Sequence, residues 1–112
     1  MQYMLLIYED ERSSGENLDL SPWFAYTEDA IKAGVYKAGA GLMPTSMATT
    51  VRVRGGRNLT TDGPFAETKE QLGGYYILDC RDLDDAIAWA SRIPNVDRGS
   101  VEIRPVMEAG PD

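Results

Sequence analysis

The sequence predicts an α+β domain in which two helices cover one face of a four-stranded sheet. Three observations carry that expectation. Two strand-length runs, YMLLIY at residues 3–8 and GGYYILDC at residues 73–80, are apolar on both faces, as central strands buried on both sides are. Two further segments place apolar residues at helical spacing, and an alternating stretch folds back at a Gly-Gly pair.

Taken in order, the first strand sets Tyr3, Leu5 and Ile7 on one face and Met4, Leu6 and Tyr8 on the other, and the acidic EDE loop ends it. A loose polar segment runs from Glu11 to Leu20. Ser21 and Pro22 then supply an N-cap and a first-turn proline. Trp23, Phe24, Thr27, Ala30 and Ile31 form the helical stripe, and Gly34 is the stop. From Thr49 to Thr61 the alternation TTVRVR, the Gly55-Gly56 turn and RNLTT predict a β-hairpin with Val51 and Val53 facing one way and Arg52 and Arg54 the other. The outward arginines read as a solvated face that discourages edge aggregation.

After the Asp62-Gly63-Pro64-Phe65 turn, Tyr75 and Ile77 oppose Tyr76, Leu78 and Cys80 in the second central strand. Asp82 caps a second helix with Asp84 and Asp85 in its first turn and Arg92 in its last, the charge order a helix dipole favours. Leu83, Ala86, Ile87, Ala90 and Ile93 are its expected buried stripe, ended by Pro94. The final strand, from Ser100, contains Pro105, which lacks a ladder donor and so marks an edge. The order β-α-β(hairpin)-β-α-β is the split βαβ pattern of ferredoxin-like domains, here with an inserted β-hairpin.

Two helices cover only one face of such a sheet, while both inner strands are apolar on both. The second face therefore calls for a homodimer that packs sheet against sheet. Cavities at such boundaries are where small-molecule sites tend to lie.

Composition narrows the chemistry. At 112 residues the chain is expected to form one domain spanning residues 1–112, and its formal charge of −7 argues against direct nucleic-acid or anionic-membrane partners. The single cysteine, Cys80, excludes an intramolecular disulfide, and no Cys/His cluster offers a zinc site. The apolar run of MQYMLLIYED lacks a basic leader and is shorter than a membrane span, so the expected location is cytoplasmic. There is no histidine. Acid/base work near neutral pH would fall to a carboxylate, Lys, Tyr or Cys of shifted pKa, with no metal or organic cofactor called for.

The runs MATTVRVRGGRNLTTDGPF, DGPFAETKEQLGGYYILDCRDLDDAIAWASRIP and GSVEIRPVME resemble the DGPF family of YCII-related proteins over nearly the whole chain. The resemblance implies a ferredoxin-like α+β domain that dimerises into an α/β barrel. It also implies a link to extracytoplasmic-function sigma factors, beside which many members are encoded. More distant YCII-like proteins carry a His and Asp pair, the Asp just before a proline near the end of the second helix. Here Ile93 precedes Pro94 and no histidine exists, so that pair cannot operate.

Asp62 is the candidate catalytic residue: at a strand end beside a cavity, a desolvated carboxylate could accept or donate a proton. The alternative is a turn cap, with the carboxylate accepting a backbone N–H such as that of Phe65. Glu67, Lys69 and Glu70 could hold a ligand's charged groups or form solvated local pairs. Arg104, set among apolar neighbours, could fork to a carboxylate ligand or pair with Glu102. Tyr75 could reach the cavity or simply pack, and Cys80 reads as a small buried hydrophobe. Two functions follow: a dimeric binder of a small polar or anionic molecule, with Asp62, Glu67, Lys69, Arg104 and Tyr75 nearest the site, or an interaction module whose acidic surface meets a sigma factor.

Overall fold

The computed structural model describes residues 1–12 and 19–108, so most of the polar segment after the first strand lies outside the described residues. Strand β1 (Gln2–Glu9) buries Tyr3, Leu5 and Ile7. Helix α1 (Ser21–Lys32) packs on that face through Tyr26 and Ala30, with Trp23 partly buried beside them. The expected stripe is thus rotated: Phe24 and Ile31 are 69% and 56% exposed. Tyr26 takes the inner position because its hydroxyl donates to the Trp89 carbonyl at 3.0 Å, so its ring can be buried without an orphan polar group.

The helix start also differs. Ser21 is the first helical residue rather than the cap; Leu20 stands at the cap without a side-chain acceptor, and the Ser21 N–H donates to Asp19 Oδ1 at 3.0 Å. At the other end Gly34 adopts φ 77°, its N–H donates to Ile31 O and the Val35 N–H to Ala30 O. That pair of bonds is the Schellman closure a left-handed glycine permits.

Strand β2 (Tyr36–Gly41) was not expected, because YKAGAG has little intrinsic strand preference. Close packing makes it. A Cβ on Gly39 would lie 2.8 Å from Tyr76 Cδ1, and one on Gly74 would lie 2.9 Å from Ala40 O, so small residues let this edge approach its neighbour.

A short 3-10 turn at Thr45–Met47 leads into β3 (Thr49–Arg54) and β4 (Arg57–Asp62), which among the described residues pair only with each other. Strand β5 (Gln71–Asp79) buries Tyr76 and Leu78. Asp82 caps α2 (Leu83–Ala90) by accepting the Asp85 N–H at 2.8 Å, as its sequence predicts. Arg92 lies beyond the last turn, and only Ala86, Ala90 and Ile93 of the expected stripe are buried; Leu83 and Ile87 are 52% and 45% exposed.

Among the described residues, strand β6 (Ser100–Pro105) pairs with β1 alone and is an edge, as its proline predicts. The sheet order β2-β5-β1-β6, antiparallel throughout, puts β5 and β1 in the centre. This α+β arrangement is compatible with a ferredoxin-like fold. Both helices pack on the Tyr3–Leu5–Ile7 side. The other side keeps Met4, Leu6, Tyr75 and Ile77 only partly buried. Among the described residues no helix is long and apolar enough to cross a membrane.

Candidate functional site

The turn after β4 is held by its own backbone. Gly63 adopts φ 109°, a conformation glycine tolerates. Its N–H donates to Ala48 O at 2.8 Å and its carbonyl accepts the Thr50 hydroxyl at 2.8 Å. Asp62, paired with Thr49 at the end of β4, is exposed. Its carboxylate has no hydrogen-bond or ion-pair partner among the described residues, so it takes no N–H of the turn.

Beyond Pro64 the chain forms one wall of an open depression of about 340 Å³, with Glu67, Thr68 and Lys69 on that wall. Gln71 fixes the wall from β5 by donating its amide to the carbonyls of Ala66 at 3.0 Å and Thr68 at 3.1 Å. The facing wall comes from the end of β1 (Asp10, Glu11, Arg12) and from Thr45. Glu11 ties these two pieces together: Thr45 N–H donates to its Oε2 at 2.9 Å, and the Thr45 hydroxyl donates to its Oε1. Arg12 forks onto Asp10 at 3.1 and 3.0 Å. That hydrogen bonding holds the Asp10 carboxyl below its ordinary pKa, and Lys69 pulls it the same way.

A second polar group lies on the uncovered sheet face. Tyr8 donates its hydroxyl to Glu102 Oε1 at 3.1 Å across β1 and β6. Partial desolvation, then the Glu102 bond and charge, raise the Tyr8 pKa, while Arg104 works in the opposite direction. Ser100 donates to Glu70 Oε1 at 2.7 Å, joining the start of β6 to the segment that precedes β5. Arg104 is opposite Met4, and Tyr75 is opposite Leu6 and Ala40.

The sequence-derived residues therefore fall into three places. Glu67 and Lys69 meet in the depression with Pro64; Tyr75 and Arg104 lie on the sheet face; Asp62 lines neither. The sequence does not point to Glu11, Arg12 and Thr45, nor to the Tyr8–Glu102 pair. The charge run after the first strand was the available sign, but nothing local tells that it will face residues more than fifty positions later.

The depression combines two cations with acidic and hydroxyl acceptors, a set that can hold a small molecule bearing a carboxylate or several hydrogen-bonding groups. Among the described residues no group of three or more His, Cys, Asp or Glu could hold a metal ion. Cys80 is 2% exposed, and burial pushes its thiol pKa up, which suits a packing residue.

A family model described as the YCII-related domain matches residues 1–109. An uncharacterised protein of Rhizobium meliloti (strain 1021) is 39% identical over 117 residues, covering 95% of this chain and 92% of the relative. With a family match along nearly its whole length and a relative this similar over both chains, the protein belongs to the YCII-related family.

Proposed function

We propose that this YCII-related domain works as a homodimer that binds a small polar or anionic molecule in the depression between the end of β1 and the segment after the Asp-Gly-Pro-Phe turn. One observation supports this above the others: Pro64, Glu67 and Lys69 share the depression with Arg12 and Thr45 from elsewhere in the chain. Lys69 supplies positive charge, Arg12 is forked onto Asp10 at the facing wall, Glu67 and Thr45 supply acceptors, and Glu11 positions Thr45. Any proton transfer would fall to carboxylates, Glu67 within the depression or Asp62 two residues before Pro64, since the chain has no histidine.

The homodimer is supported by the uncovered sheet face, where Met4, Leu6, Tyr75 and Ile77 form an apolar strip beside the polar Glu102 and Arg104. Burying this strip against a second copy would bring Tyr75 and Arg104 to the margin of an enclosed space. The net charge of −7 supports a second reading, docking to a basic protein such as a sigma factor, which co-purification from native extract tests.

The ligand reading is tested by thermal melts against a panel of small mono- and dicarboxylic acids. A binder present at about a hundred times its Kd stabilises by about 2.7 kcal/mol. Lys69→Ala should abolish that shift while leaving the ligand-free melt unchanged. Asp62→Asn, with no internal partner to lose, should also leave that melt unchanged and reports whether its carboxylate serves the ligand. No shift from any acid at millimolar concentration would sink the reading.

A further inference from the structure

The β3–β4 hairpin stands apart from the fold. Its strands pack chiefly on each other, and a two-stranded hairpin alone is marginal in water. Val51, Val53 and Leu59 are 60%, 56% and 49% exposed, so none of them is buried by the described residues on either face of the hairpin. The molecule is correspondingly spread, 46 × 45 × 19 Å with a radius of gyration of 16.1 Å, against about 13 Å for a compact domain of this length.

Register sorts its side chains. Val51 and Val53 face one way with Thr60 and Asn58, while Arg52 and Arg54 share the other face with Leu59 and Arg57. Arg54 lies directly opposite Arg57, a like-charge pair that destabilises a hairpin left to itself. Arg52 lies over the Phe65 ring, 5.4 Å from its centre, but none of the three arginines has a carboxylate partner among the described residues. The only acid of the two strands is Asp62, at the end of β4 on the valine face. The rest of the chain sets eight of the eleven bases against seventeen of the eighteen acids, a formal −9.

We propose that this hairpin is an arm with which each copy grips the acidic body of a second copy, its arginine face set against that copy's carboxylates. The inference rests on the homodimer reading and adds a second contact to the sheet-face one. The occupant is argued from charge: the chain carries its isolated cationic face on a body of opposite sign, and a two-fold pair lets both arms engage at once. A polyanion such as duplex DNA would also meet the arginines, but a body of −9 repels it.

The experiment is sedimentation equilibrium of the full chain, wild type against R52Q/R54Q/R57Q and against Ile77→Asp on the sheet face, from 50 to 500 mM NaCl. The arm predicts a dimer Kd that rises with salt in the wild type, and about a tenfold or greater rise in Kd with loss of that salt dependence in the arginine variant. An unchanged Kd in that variant, or a salt-independent wild type, overturns the arm while leaving the homodimer standing. A wild type monomeric at micromolar concentration overturns both. Binding of a labelled 20-base-pair duplex that the arginine variant loses, with its dimer Kd unaltered, replaces the occupant and overturns the arm. Far-UV circular dichroism of the variant, whose changes lie off the core, should match wild type.

Discussion

Gly99, in the turn between α2 and β6, is where the packing leaves least room. A Cβ there would stand 2.3 Å from the Tyr8 carbonyl oxygen, 3.3 Å from Glu9 Cβ and 3.4 Å from Asn95 O. The nearest of these is backbone. Tyr8 is also in register with Ser100, so β1 and β6 must separate by about 1 Å locally to accept a methyl group. Forced overpacking of this kind costs about 1–3 kcal/mol, and for a chain of this size each kcal/mol lowers Tm by roughly 4 °C. Gly99→Ala is therefore expected to melt about 4–12 °C below wild type. Gly41→Ala, where a Cβ meets nothing within 4 Å among the described residues, is the control and should melt at wild type or up to about 4 °C above it. Thermal melts followed at 222 nm decide the matter. If the two variants melt together, the turn yields freely and the steric argument is wrong. The same clash bears on the polar sheet end, because the strand it displaces carries the Tyr8 hydroxyl that donates to Glu102.

Asp82→Ala removes the acceptor of the Asp85 N–H and should cost about 1 kcal/mol in urea unfolding, with Asp82→Asn recovering most of it. Tyr26→Phe should cost about 1 kcal/mol at neutral pH, because the Trp89 carbonyl loses its 3.0 Å donor. The same variant has a pH signature. Burial raises the Tyr26 pKa well above 10.0. Its contribution is therefore fully present below the unfolded tyrosine value of 10.0 and is lost as pH rises toward the folded one, so wild type should lose stability above pH 10 more steeply than Tyr26→Phe. Parallel alkaline limbs would refute the burial.

The Asp-Gly-Pro-Phe turn was open to two readings, a corner or a working site. Gly63 makes a backbone corner closed by Ala48 and Thr50, whereas Pro64 lines the depression with Glu67, Thr68 and Lys69. That division could not be read locally. Thr45 and Arg12, which face the motif, are distant in sequence, and only the fold brings them opposite it.

Much of the architecture was nevertheless fixed by local physics. Strand-length runs apolar on both faces, YMLLIY and GGYYILDC, identified the two central strands, the Gly55-Gly56 pair the hairpin, Asp82 the second helix start and Pro105 an edge, because side-chain hydrophobicity, turn dihedrals, capping and a missing donor are properties of the residues themselves. What tertiary structure alone decided were the features that depend on a neighbour. YKAGAG became strand β2 because its small residues fit against Tyr76 and Gly74, and α1 turned Tyr26 inward because Trp89 offered its hydroxyl an acceptor. Side-chain volume and hydrogen-bond satisfaction across elements, neither of them written in periodicity, set those choices.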